Sequence, residues 1–130
     1  AERRITELLA EVELPPEIAA RYPHELSGGQ KQRAAIAIAL SCEPKLVLAD
    51  EPTTALDVIT QAAILRLLER LRREKNLTIL LVTHDLPLAA SVCGKLFVMK
   101  DGKLIESGTP RQLIDSPREA HTRALIAAML

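Results

Sequence analysis

The sequence predicts an α/β protein. Three observations carry that expectation: the short apolar runs Leu46 to Ala49 and Leu77 to Thr83, the helix-period stretch 58–74 between them, and Asp101-Gly102 between two strand-like segments. A strand, a helix and a strand of these lengths form a right-handed βαβ unit with parallel strands. At 130 residues the chain is long enough for a real core. Its 17 Lys+Arg balance 17 Asp+Glu, which argues against nucleic-acid binding through a broad basic surface. Tyr22 and Phe97 are the aromatic residues, too few for a platform that stacks bases or sugars. No apolar run approaches the roughly 20 residues of a membrane-spanning helix.

The elements follow in order. Ile5, Leu8, Leu9 and Val12 form one stripe of an amphipathic helix over residues 1–14, ended by Pro15-Pro16. Ser27 and Gln30 have the spacing of a capping box and open a second helix. That helix runs through Ala34 to Leu40, small and apolar enough to be buried on most sides. Leu46 to Ala49 then reads as a strand covered on both faces, since it is continuously apolar. Residues 58–74 place Ile64, Leu68 and Leu71 on one side of a helix, with Glu69 and Arg73 as an i,i+4 pair on another. Leu77 to Thr83 is the second covered strand. Lys95 to Lys100 and Lys103 to Glu106 flank the hairpin turn at Asp101-Gly102. Two helix starts follow, Thr109-Pro110 with Gln112 and Ser116-Pro117 with Glu119. Cys42 and Cys93 lack nearby Cys or His at ligand spacing and read as buried free thiols.

Three segments carry chemistry. In Leu26-Ser27-Gly28-Gly29-Gln30, two glycines behind a capping serine leave backbone N–H groups bare at a helix start. The helix dipole adds about half a positive charge there, so the segment suits a phosphate. Asp50 and Glu51 close the first apolar strand, at the strand end where α/β sheets bind ligands. Alternation along a strand would aim them in different directions, so one could serve a hydrated Mg²⁺ and the other activate water. His84 follows the second strand, and parallel neighbours that end together would bring it to the same sheet edge.

The order Leu26 to Gln30, Asp50-Glu51-Pro52, Ala55-Leu56-Asp57 and His84 resembles the nucleotide-binding subunit of an ATP-binding-cassette (ABC) transporter. The resemblance covers essentially the whole chain. It implies part of a P-loop NTPase (RecA-like) parallel-sheet core, with part of the family's helical subdomain in residues 1–43. Residues 44–130 would then be partial ATPase core with the C-terminal hairpin and helices. By the resemblance, Ser27, Gly28, Gly29 and Gln30 form the signature that touches the γ-phosphate of ATP held mainly by an opposite subunit. Asp50 is similar to the aspartate serving Mg²⁺, and Glu51 to the general base. Asp57 is similar to the residue communicating between the two sites, and His84 to the switch histidine. The implied partners are a second ABC ATPase subunit and transmembrane permease subunits, with no nucleic acid, at the cytoplasmic face of the membrane.

The family also carries a G-x-x-x-x-G-K-[ST] phosphate loop, a glutamine loop and an adenine-stacking aromatic residue ahead of the signature. None stands in this sequence, whose five glycines include only Gly28-Gly29 as close neighbours. The chain therefore reads as the C-terminal part of such a subunit, inactive alone, with an open slot in its sheet where the missing strand belongs. Tyr22-Pro23-His24-Glu25, Thr53-Thr54-Ala55-Leu56-Asp57-Val58 and the tail from Ser116 resemble the peptide and nickel importer branch. In the tail, Ala120-His121 stands where that branch often has Pro-Tyr, and Pro87 and Gly94 also depart from its pattern. The alternatives are a soluble ABC protein of DNA repair or translation, which the neutral charge disfavours, and a binding-only remnant.

Overall fold

A computed structural model describes residues 1–129, which divide into two compact units, one of residues 1–82 and one of the described residues from 83 onward. In the first unit, helix α1 (Glu2–Glu11) buries Leu8 and Leu9, and Val12 just beyond it, while Ile5 stays exposed. The helix stops before Pro15-Pro16 because Glu13 turns left-handed, with φ +59°. Two arginines from elsewhere then satisfy its last carbonyls. Arg33 donates to Val12 O at 3.0 Å and Arg70 to Glu11 O at 2.7 Å. Both also reach the Glu13 carboxylate, at 3.1 and 3.2 Å. A 3-10 turn (Pro16–Ala20) buries Ile18 below this end.

Helix α2 (Gly28–Leu40) buries Ile36, Ala37 and Leu40 only. Ile38 is 73% exposed, so the expected burial on most sides is not met. One face of α2 meets α1 and α3, and Ile38 stands on the other. Strands β1 (Leu46–Asp50) and β2 (Thr78–Val82) pair in parallel, with Leu46 opposite Thr78 and Asp50 opposite Val82. Helix α3 (Val58–Glu74) connects them and buries Ile64, Leu67, Leu68 and Leu71. Val47 and Ile79 pack on the helical core. Leu46, Leu48, Leu80 and Val82 have the opposite parity and are exposed, Leu48 by 68%. The strands are thus covered on one face, contrary to the expectation from their continuous apolarity. Composition alone cannot distinguish a strand that is covered from one that needs covering.

The second unit begins with α4 (Leu86–Val92), capped by Asp85, whose Oδ1 accepts from Leu88 N at 2.9 Å. Strands β3 (Leu96–Lys100) and β4 (Lys103–Gly108) form the expected hairpin. Asp101 and Gly102 both take positive φ, +49° and +74°, as a tight two-residue turn requires. A bulge between Val98 and Met99 shifts the register. Helix α5 (Pro110–Asp115) starts with the expected Thr109–Gln112 capping box. Leu96, Val98 and Leu113 centre this unit's core, with Cys93 packed against them.

The last helix departs from the sequence expectation. Helix α6 runs Ala120–Ala127 with Glu119 as its cap residue, and Ser116 ends α5 instead of starting α6. Glu106 on β4 has taken the role expected of Ser116. Its carboxylate accepts from the Arg118 N–H at 2.7 Å and the Glu119 N–H at 3.1 Å. The buried Thr122 hydroxyl lies towards the same carboxylate without a hydrogen bond of ordinary geometry. Thr122 together with those two amides holds the Glu106 carboxyl below the usual carboxylate range. Both cysteines are free thiols, but Cys42 is exposed in the turn after α2 and Cys93 only half-buried, so neither is the fully buried thiol expected. Desolvation pushes the Cys93 thiol up.

Candidate functional site

The first unit gathers most of the sequence-predicted residues. Ser27 caps α2 as the spacing predicts: its Oγ accepts from Gln30 N at 3.2 Å, and the Gln30 side chain accepts from Ser27 N at 3.0 Å. The box engages Gln30 and leaves the Gly28 and Gly29 amides, the first two of the helix, without an intrahelical acceptor. Ser27 and Gly28 are exposed and Gly29 half-buried. The glycines also serve packing. A Cβ on Gly28 would stand 3.1 Å from Leu56 Cδ2, and one on Gly29 would stand 2.7 Å from Thr60 Cγ2. The start of α2 therefore sits directly against residues flanking Asp57.

Asp50 is the last residue of β1 and shares the parity of exposed Leu46 and Leu48. Glu51 lies beyond the strand, so simple alternation does not set its direction. Its backbone is left-handed at φ +47°, and its N–H donates to Val82 O at 2.8 Å. The Glu51 carboxylate accepts from the Thr54 hydroxyl at 3.3 Å. Left-handed backbone also occurs at Glu13, Glu43 and Asn76, which follow helices, so it does not by itself mark Glu51. Ala55, at φ +61°, brings the loop round to Asp57.

Asp57 caps α3 with both carboxylate oxygens: Oδ1 accepts from Thr60 N at 2.9 Å and Oδ2 from Thr60 Oγ1 at 2.8 Å. These two bonds hold the carboxyl below its ordinary value. Buried Thr53 accepts from the Gln61 side chain at 3.4 Å, a second tie between this loop and α3. His84 belongs to the second unit, exposed in the bend between Thr83 and the α4 cap Asp85. The structure thus brings together the start of α2 and the Asp57 loop, with Asp50 and Glu51 at the head of that loop. Sequence reading missed Thr60, and took Thr53 and Thr54 as marks of the importer branch without foreseeing their contacts. The Asp57-x-x-Thr60 spacing of a helix cap was the available signal for the first.

No group of three or more His, Cys, Asp and Glu that could hold a metal alone occurs among the described residues. No helix among the described residues is long and apolar enough to cross a membrane.

The fold is that of part of an ABC-type ATPase domain, in the P-loop NTPase class. One similar solved structure is a dimeric ATP-binding cassette in a post-hydrolysis state, bound to ADP and Pi. It has a TM-score of 0.70 and 40% identity, over 84% of this chain and 47% of that one. Another is cbiO1 from Clostridium perfringens, part of the ABC transporter complex cbiONQ, at TM-score 0.76 and 36% identity over 88% and 45%. Residues 1–54 match the ABC transporter family. The chain is 45% identical over 124 residues to the glutathione import ATP-binding protein GsiA of Escherichia coli, covering 94% of this chain and 20% of that protein. It is 48% identical over 130 residues to the peptidoglycan transport ATP-binding protein YejF of Agrobacterium fabrum, covering 98% and 24%. The chain spans about a fifth to a quarter of the length of these curated relatives.

Proposed function

We propose that this chain is the C-terminal part of the ATP-hydrolysing subunit of an ABC importer for small peptides or nickel. Residues 1–43 would contribute to its helical subdomain and 44–130 to its ATPase core. The observation that carries the reading is the start of α2. The Ser27–Gln30 box presents the Gly28 and Gly29 amides at an exposed helix N-terminus, packed against the Asp57 loop. Phosphoryl transfer depends on placement and charge neutralisation more than on covalent chemistry, and such a surface supplies placement.

In this reading Ser27, Gly28 and Gly29 receive the γ-phosphate of ATP bound mainly by a second ATPase subunit, and Gln30 holds the cap in shape. Asp50 would hold Mg²⁺ through water, and the ion, when bound, neutralises phosphate charge. The Glu51 carboxylate takes a proton from the water that attacks the γ-phosphorus, as the bond to the β–γ bridging oxygen breaks and ADP leaves. His84 positions that water and the γ-phosphate, and Asp57 links the two composite sites. Transmembrane permease subunits would use the resulting motion at the cytoplasmic face. The names of the relatives, which concern glutathione and peptidoglycan, favour a peptide cargo over nickel.

The test is Glu51→Gln in the complete subunit. Turnover should fall by about a thousandfold, the scale of a lost base with its positioning, while ATP-bound dimers accumulate. Unchanged hydrolysis would remove Glu51 from the role of base. The 130-residue chain alone, lacking a Gly-Lys-Ser/Thr loop, should show no ATPase above background.

A further inference from the structure

Thr60 lies between two features that the proposed function treats separately. Its N–H and hydroxyl each donate to one oxygen of Asp57, at 2.9 and 2.8 Å. Its Cγ2 methyl fills the space where a Cβ on Gly29 would come to 2.7 Å. A threonine side chain has a stiff χ1 torsion. Rotating it to relieve either contact would put methyl against carboxylate or hydroxyl against the Gly29 backbone. All three groups of Thr60 are thus committed, two towards Asp57 and one towards Gly29.

We propose that Thr60 is a positioning residue that sets the spacing between the Asp57 carboxylate and the Gly28–Gly29 amides, so that the loop and the phosphate-binding helix start move as one piece. The proposal rests on the ATPase reading for its consequence, though the contact itself does not. Gly28 against Leu56 Cδ2, at 3.1 Å, is a looser second contact on the same seam. The lowered Asp57 carboxyl pKa agrees with the hydroxyl contact.

The test uses the complete subunit with four variants. Thr60→Val keeps a methyl for Gly29 and loses the donor to Asp57. Its kcat for ATP hydrolysis should fall about fivefold to tenfold with KM within twofold, while Thr60→Ser, which keeps the donor to Asp57 and loses only the methyl against Gly29, should fall less, by about twofold to threefold. The contact with Gly29 is read separately by thermal unfolding. Gly29→Ala should lower Tm, and adding Thr60→Ser, which removes Cγ2, should recover at least half of the loss. The proposal is overturned if Thr60→Val leaves kcat unchanged in an active subunit, or moves only KM. It is equally overturned if Gly29→Ala costs the same Tm in both backgrounds. An unmodified subunit without ATPase would count against the proposed function alone, since the Gly29–Thr60 unfolding cycle still decides the contact. Should Thr60→Val not fold, that same cycle decides.

Discussion

Three glycines give a graded prediction. An alanine Cβ at Gly29 would stand 2.7 Å from Thr60 Cγ2, a group that two hydrogen bonds to Asp57 prevent from yielding. Overpacking of that kind costs about 1–3 kcal/mol. Replacing glycine by alanine in a helix returns about 0.5–1 kcal/mol, less in the first turn than in the interior. Gly29→Ala should therefore destabilise by about 1–2 kcal/mol net. At Gly28 the obstacle is Leu56 Cδ2 at 3.1 Å, the end of a flexible side chain, so the two terms nearly cancel. At Gly94 nothing lies within 4 Å and φ is not positive, so alanine should be neutral or stabilise by up to about 1 kcal/mol. Urea unfolding of the three variants measures the order directly. Gly29→Ala as stable as Gly94→Ala would show that the start of α2 does not abut Thr60, and the coupling argued above would fail with it.

Other outcomes follow from the same structure. Ile64 and Leu71 are 0% and 1% exposed, so truncating either to alanine should cost about 2–5 kcal/mol in the same assay. The exposed sheet face should make the isolated chain self-associate, and Leu48→Lys with Leu80→Lys should shift its sedimentation towards monomer. Because the Glu106 carboxyl is held below its ordinary value, its stabilisation is present above that value and is lost as pH falls from 4.5 through the lower folded value. The protection of the Arg118 and Glu119 amides, taken against their intrinsic exchange rates at each pH, should fall over that descent, and Glu106→Ala should show the low protection already near neutral pH.

What the sequence revealed was local. The Ser27–Gln30 and Thr109–Gln112 boxes each need four consecutive residues, and both formed as read. The Asp101-Gly102 turn is equally self-contained. Ser116-Pro117 with Glu119 has the same spacing yet starts no helix, because Glu106, distant in sequence, binds the amides of Arg118 and Glu119. The end of α1 shows the same limit: Pro15-Pro16 is visible in sequence, whereas the arginine caps come from α2 and α3. The apolar runs of β1 and β2 correctly marked strands, but whether a layer covers each face depends on what else is folded beside it. In the site, the capped helix start at Gly28-Gly29 was legible. Its contact with Thr60 was not, since it joins two helices distant in the chain.

The central claim is that the amides opening α2 meet a nucleotide phosphate. Hydrogen exchange at Gly28 and Gly29 in the complete Glu51→Gln subunit, with and without ATP, tests it most directly. Both amides should exchange freely without nucleotide and become protected by at least tenfold with it. Exchange at both sites unaltered by saturating ATP would contradict the account.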